Sequence, residues 1–395
     1  MKIGLIIKDL RHCGAQRVMA RLSFILKDAG HDVFMILFTK KYIDYEYAGE
    51  LIVIDSLIGK GIIGKIITTL KRTHNLRKVK QNYNFDATIS FLDTPNISNL
   101  LSKNKEITCV SVRNFKSLED KGIFNFFNKI MIKLLYPKAD KVIVVSKAIL
   151  VDMALNYNIP KSKMKVIYNP YDIDLIEEQS LEELPNDFKK FYDTYEVIVS
   201  VGRLSRQKGF WNLIKAFSYL KKDYPYAGLV IIGDGDQELQ LKELTKELQI
   251  ENDVLFTGYQ KNPFPFIKNA KAYALTSLFE GFPNALVEAM ACGTPTVSVD
   301  CKSGPREILF ENADINDSAT NVELADYGLL CPAFTDADNW DSNVMSENQI
   351  IFSKALSMLF EDDKLHEKYC KKSFERASHF TFEECKNKFQ EILLG

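Results

Sequence analysis

The chain has 395 residues, 46% hydrophobic and 26% charged, which excludes a disordered or fibrous protein and leaves room for two to three globular domains. No stretch approaches the roughly 20 apolar residues that span a bilayer, and "MKIGLIIKDL" carries too short an apolar run for a secretory signal, so a cytoplasmic protein is expected. Net charge is −1, but 28 Lys and Arg stand against 14 Asp and Glu through residue 170, with 23 against 38 beyond it; the basic half should meet something anionic.

In chain order, "KIGLIIK" reads as a buried first strand. A loop follows, and then "RVMARLSFILKDAG" has helical spacing, with Gly30 where a helix-ending glycine belongs. "HDVFMILF" is the next strand, so the opening is a parallel βαβ unit. "ATISFL", "TCVSV", "KVIVVS" and "VIYN" continue the series. An acidic stretch around 169–195 reads as a linker. A second series then runs through strands at "VIVSVGRL", "GLVIIGDG", "VLFTGY", "AYALTS" and "TPTVSV", with helices between. The segment 348–378 and the closing "TFEECKNKFQEILLG" read as helical. Two βα series predict an α/β chain of two doubly wound, Rossmann-like domains facing across a cleft. Ligands of such sheets bind beyond the carboxyl ends of the strands, so the loops there are the informative ones. Seven scattered cysteines without a CxxC pair, and five histidines without HExxH spacing, predict reduced thiols and no metal site.

Four loops carry chemistry. "VGRLSRQKGF" sets Arg203 and Lys208 at a strand end, which suits a phosphate or diphosphate, or else makes a solvated basic turn. "CGAQRV" opens a helix with Gly14, where backbone N–H groups can approach an anion; a plain turn is the alternative. Tyr259, after "LFTG", could pass beside an aromatic base. In "SLFEGFPNALVEAMACG" Glu280 and Glu288 bracket a strand-to-helix turn, with Pro283 suited to the first helical position. The turn's free N–H groups favour an anion, although two solvated glutamates would explain the same letters.

Taken in order, these loops resemble the GT-B-fold retaining glycosyltransferases of the glycogen-synthase-like family 4. Glu280 to Glu288 is similar to that family's E-x7-E signature, "GRLSRQKGF" to its G-R-x4-K-G loop, and "CGAQRV" to its G-G-A-E-R-V, with Cys13 and Gln16 as departures. "ATISFLDTPNI" and "SGPREIL" look most like bacterial enzymes that build lipid-linked oligosaccharides, O-antigen or capsule. The resemblance implies an acceptor-side domain over 1–170, joined by the closing helix 380–395, and a nucleotide-sugar domain over 171–379. It implies that Arg203 and Lys208 hold and stabilise the departing diphosphate. It implies that Glu280 faces the donor sugar and Glu288 binds the ribose. Gly281, Phe282, Pro283, Asn284, Ala285 and Leu286 would hold sugar hydroxyls and the β-phosphate through their backbone, Tyr259 would lie on the donor side, and Gly14 would approach the phosphates. Relatives carry an acceptor-side histidine where "SVRNF" has Arg113 and Asn114; Arg113 would contact an anionic acceptor instead, or the histidine role is absent. No cofactor and no metal are implied.

Residues 59–83 hold seven Lys or Arg and no acid, with Ile62, Ile63, Ile66, Ile67 and Leu70 at helical spacing, and 122–138 is aromatic-rich with interspersed lysines. Such helices lie on anionic membranes, or pack on the first sheet while their lysines keep it soluble. No nucleic-acid motif accompanies them. The expected activity is transfer of a hexose or N-acetylhexosamine from a UDP-sugar to a lipid-linked glycan, with retention, by a protein peripheral on the inner membrane face. A GT-B-fold nucleotide-sugar epimerase and a non-catalytic glycan- or lipid-binding relative are the alternatives.

Overall fold

In the computed structural model the chain is described over residues 1–54, 59, 61–118, 123–335 and 338–394, without the side chains of 62, 63 and 123–126. Parts of both basic segments, among them Lys60, Ile62, Ile63 and Gly122, therefore lie outside the described side chains. The chain splits into two compact units, Met1–Pro170 with Phe382–Gly395, and Tyr171–Thr381.

The first unit holds β1 (Lys2–Ile7), β2 (Asp32–Leu37), β3 (Glu50–Val53), β4 (Ala87–Phe91), β5 (Ile107–Val112), β6 (Lys141–Val144) and β7 (Met164–Val166). They form one parallel sheet in the order β3-β2-β1-β4-β5-β6-β7. Every residue of β4 is buried, as a strand covered by helices on both faces requires. The strand order steps one way from β1 to β3 and the other way from β4 to β7. Right-handed crossovers therefore put helix Gly14–Asp28 on one face, and helices Gly61–Tyr83, Asp93–Leu101 and Ile123–Leu135 on the other. In agreement, Gly14–Asp28 packs with the closing helix Phe382–Leu394, while Asp93–Leu101 touches both of its neighbours. Phe389, Ile392 and Leu393 of the closing helix are buried in the same core as β1 and β2.

The second unit holds β8 (Glu196–Val201), β9 (Ala227–Ile232), β10 (Val254–Gly258), β11 (Ala272–Leu275), β12 (Thr296–Val299), β13 (Glu323–Leu324) and β14 (Leu329–Cys331). Their order is β10-β9-β8-β11-β12-β14-β13, all parallel except the β13–β14 pair. The fold is α/β and GT-B in class, with two Rossmann-like sheets.

Three local readings are corrected. The acidic stretch around 169–195, expected to be a linker, forms helices Ile173–Ser180 and Asn186–Thr194; the carboxylate of Asp172 caps the first by accepting from Leu175 N–H at 3.1 Å. The long C-terminal helix breaks at Asp362, whose carboxylate accepts from Leu365 N–H at 3.0 Å and starts a new helix, Asp363–Ala377. The last strand of the first series is Met164–Val166, shifted toward the N-terminus from "VIYN". No helix among the described residues is long and apolar enough to cross a membrane.

Candidate functional site

Each sheet reverses its strand order once, between β1 and β4 and between β8 and β11. Loops leave such a point in opposite directions and open a crevice at the carboxyl ends of the strands. In the second unit those loops are 202–209 and 276–283, the stretches that carry Arg203, Lys208 and Glu280.

The two loops are stitched together. Leu278 N–H donates to the Gln207 carbonyl at 2.8 Å, the Thr276 hydroxyl to the Lys208 carbonyl at 3.1 Å, and the Gln207 amide to the Phe279 carbonyl at 2.9 Å. Gly209, at φ +63°, completes the junction; a Cβ there would stand 2.5 Å from the Thr276 carbonyl oxygen. On this frame Lys208 Nζ donates to Glu280 Oε1 at 2.6 Å, and the Ser277 hydroxyl donates to the same oxygen at 2.7 Å. Glu280 is only 7% exposed, and a carboxylate is held at such a depth by a cation and a hydroxyl. A third loop, after β12, braces the turn: Glu280 N–H donates to the Lys302 carbonyl at 3.1 Å, and the Ser303 hydroxyl to the Gly281 carbonyl at 2.7 Å.

Glu288 sits in helix Asn284–Ala291 and is 3% exposed. Both glutamates are thus buried, and the solvated alternative is excluded. They share Tyr273 as a neighbour and differ in the thiol each acts on. Burial, then the charges of Glu280 and Glu288, push the Tyr273 phenol well above its ordinary range. Burial and then Glu280 raise the Cys301 thiol, whereas burial and then Glu288 push the Cys292 thiol up to about 12. One carboxylate belongs to the loop crevice, and the other lies further along the helix.

Gly281, Phe282 and Pro283 are buried, and Asn284 and Ala285 are half-buried. Pro283 caps the helix rather than filling its first position, one residue earlier than expected. Asn284 Oδ1 accepts from the Tyr171 hydroxyl at 2.7 Å, and the Leu286 side chain is fully in the core, so only its backbone can serve a ligand. Arg203 is exposed, and its guanidinium has no ion pair or hydrogen bond among the described residues. Arg206, by contrast, is engaged by Asp338 at 2.9 Å. Tyr259 is half-exposed just past β10, whose Gly258 carbonyl accepts from Gly233 N–H at 2.9 Å.

Gly14, Arg113 and Asn114 belong to the first unit. Gly14 is the exposed first residue of its helix. Arg113 is half-buried; its guanidinium donates to Asn169 Oδ1 and lies 4.4 Å from the centre of the Phe91 ring. The second unit therefore gathers Arg203, Lys208, Glu280 and the 281–286 turn, with Glu288 and Tyr259 close in the chain to those strand ends.

Sequence reasoning missed Gln207, Ser277 and Ser303, for which no pattern in the letters gave a signal. It also gave the "GDG" that ends "GLVIIGDG" no role. Gly233, at φ +139°, would place a Cβ 2.0 Å from the Gly202 carbonyl oxygen, and Leu204 N–H donates to the Asp234 carbonyl at 2.7 Å. That loop is the packing partner of the Arg203 loop. Arg306 of "SGPREIL" is buried and clamped by Asp300 at 2.7 Å and Glu323 at 3.0 Å, a structural role. Among the described residues no group of three or more His, Cys, Asp or Glu could hold a metal ion.

Two family models match the chain: Glycosyltransferase Family 4 over residues 13–175 and Glycosyl transferases group 1 over residues 183–322. An uncharacterised glycosyltransferase of Methanocaldococcus jannaschii is 30% identical over 340 residues, covering 82% of this chain and 83% of its own. The N-acetylgalactosamine-N,N'-diacetylbacillosaminyl-diphospho-undecaprenol 4-alpha-N-acetylgalactosaminyltransferase of Campylobacter jejuni is 33% identical over 391 residues, covering 96% and 95%. Among solved structures, HepE of Anabaena in complex with UDP and glucose superposes with a TM-score of 0.76 at 19% identity, covering all of both chains.

Proposed function

The chain belongs to the GT-B-fold glycosyltransferases of group 1 and family 4, and from that premise we propose that it moves a hexose or N-acetylhexosamine from a UDP-sugar to a lipid-linked glycan, with retention and without a metal. The observation that carries this reading is the Lys208–Glu280 pair at the strand-order reversal, with the uncommitted Arg203 on the same loop. A diphosphate leaving group needs cations where its negative charge grows. Arg203 offers a planar fork for phosphate oxygens and Lys208 a point charge. Glu280 holds the Lys208 ammonium in place and faces the sugar, and the N-terminal end of helix Asn284–Ala291 turns backbone N–H groups toward the β-phosphate. Glu288 accepts from the ribose hydroxyls, and Tyr259 lies beside the base.

In the step proposed, the acceptor hydroxyl oxygen bonds to the anomeric carbon on the face from which UDP departs. The bond from that carbon to the β-phosphate oxygen breaks, its electron pair stays on the phosphate, and the hydroxyl proton passes to the same oxygen. The activity for which the Campylobacter jejuni relative is named, on a diphospho-undecaprenol-linked sugar, supports the acceptor class. The UDP bound by the Anabaena neighbour supports the donor.

The test is a transfer assay with a panel of UDP-sugars and an undecaprenyl-diphosphate-linked glycan, run in EDTA, with the anomeric configuration of the product read by NMR. An α-linked product from an α-linked donor in EDTA supports the reading. An inverted product, or epimerised UDP-sugar with no transfer, overturns it.

A further inference from the structure

The turn proposed above to hold the donor is fixed at both ends by hydroxyl groups. At its start the Ser303 hydroxyl donates to the Gly281 carbonyl at 2.7 Å. At its end the Tyr171 hydroxyl donates to Asn284 Oδ1 at 2.7 Å. The chain enters the second unit at Tyr171 and leaves it after Thr381. These two ends run side by side: Tyr171 pairs with Thr381 in a parallel bridge, and Tyr171 N–H donates to the Phe380 carbonyl at 2.8 Å. Phe380 meets Phe282 of the turn edge to face, with ring centres 5.3 Å apart. Tyr171, Phe282 and Phe380 are all buried, so the phenol has one packed position beside the turn.

Asn284 is the first residue of helix Asn284–Ala291. Other helices of the second unit start on a side-chain oxygen that takes a first-turn N–H. Asp172, Ser346 and Asp362 accept in this way from Leu175, Gln349 and Leu365, at 3.1, 3.3 and 3.0 Å. Helix Asn284–Ala291 starts on Pro283, which has no side-chain oxygen, and no side chain caps it. Asparagine is among the best capping types, and an unheld asparagine carbonyl bonds backbone N–H groups of its own segment, commonly two residues on. At Asn284 that carbonyl is taken by the phenol. A buried phenol needs a partner, and a backbone carbonyl would serve. The partner it has is a side chain able to compete for the N–H groups at this helix start.

Resting on the donor-turn reading above, we propose that Tyr171 is a positioning residue: it holds the Asn284 carbonyl away from the first turn of helix Asn284–Ala291 and so leaves the N–H groups there to the β-phosphate. Without the hydroxyl the helix caps itself, and the phosphate meets an acceptor oxygen where it needs donors. A nucleotide that ends at the α-phosphate does not use those groups and is indifferent to the change.

The test is calorimetric titration of UDP and of UMP, which lacks the β-phosphate, into the full chain and two variants. Tyr171→Phe removes one oxygen and keeps the ring, so the melting temperature falls by only a few degrees. It binds UDP about tenfold more weakly than the wild type and UMP equally well. Tyr171→Phe/Asn284→Ala binds UDP more tightly than Tyr171→Phe, because the released carbonyl is gone while every backbone N–H remains. A wild type that binds UDP no better than UMP overturns the donor-turn reading together with this role. Where the wild type prefers UDP, three results overturn the role alone. One is a preference in Tyr171→Phe equal to that of the wild type. Another is a parallel loss of UDP and UMP affinity, the mark of a merely structural tyrosine. The third is a double variant that binds UDP no better than Tyr171→Phe.

Discussion

Lys208 and Glu280 come from loops 72 residues apart and meet at 2.6 Å, with the Ser277 hydroxyl on the same carboxylate oxygen. The two motifs that stand out in the sequence are therefore one device. The carboxylate aims the cation, and the cation permits a carboxylate that is nearly buried.

On the proposed reading, Lys208→Ala removes the cation beside the departing diphosphate, and it strands Glu280. Loss of one such stabiliser costs transfer about a hundredfold to a thousandfold in kcat. Stability falls by about 2 kcal/mol, because a buried carboxylate loses its counter-charge. Glu280→Gln keeps the shape and loses the grip on Lys208. If the two act as a unit, the double variant Lys208→Ala/Glu280→Gln is scarcely slower than Lys208→Ala alone, as steady-state rates will show.

Arg203 gives the opposite pattern. It is exposed and has no side-chain partner among the described residues, so Arg203→Ala should leave the melting temperature unchanged. On the proposed reading its loss removes charge-assisted bonds to phosphate, and affinity for UDP should fall about tenfold or more. A large fall in stability with unchanged UDP affinity would show a structural role instead.

Gly233→Ala tests the loop packing. Its Cβ would meet the Gly202 carbonyl oxygen at 2.0 Å, and φ +139° strains any side chain. The loop that carries Arg203 must move, so stability falls by about 3 kcal/mol and UDP affinity falls with it. A melting curve and a UDP titration on the same preparation check both.

The first unit contains a buried pair, Lys80 Nζ to Glu106 Oε1 at 2.6 Å, both almost without solvent. Burial outweighs Glu106 and pushes the Lys80 ammonium down to about 8 from the ordinary 10.5. The folded chain therefore sheds this proton first, and between pH 8 and 10.5 the unfolded chain binds more protons. Over that window the stability contributed by Lys80 rises with pH. Several buried thiols and phenols have raised values and oppose this above pH 9, so the readout is a difference. The stability of wild type minus that of Lys80→Met should increase from pH 8 to 10.5 by up to about 3 kcal/mol. A flat difference contradicts the assignment.

Much of this was legible in the letters, for physical reasons that differ by element. Strands such as "KIGLII" are buried on both faces, so a short apolar run marks them. The short edge strand Glu50–Val53 was passed over; its apolar run is only Leu51 to Ile54, and as an edge strand its first residue is exposed and the other three are half-buried. Asp362 was hidden inside a helical pattern, since a cap that ends one helix and starts the next leaves the apolar period nearly intact. At the site, the spacing of Arg203, Lys208, Glu280 and Glu288 was readable. That Lys208 is already held by Glu280 was not, because a contact across 72 residues depends on strand order. The necessity of Gly233 was hidden for the same reason: its constraint is the backbone of another loop.

The most direct measurement is calorimetric titration of UDP, in EDTA, into the wild type and into Arg203→Ala/Lys208→Ala. The account predicts metal-independent binding by the wild type and a loss of at least about a hundredfold in the double variant, with the fold retained by circular dichroism. No binding by the wild type, or equal affinity in the two proteins, would contradict the assignment of these loops to the nucleotide-sugar diphosphate.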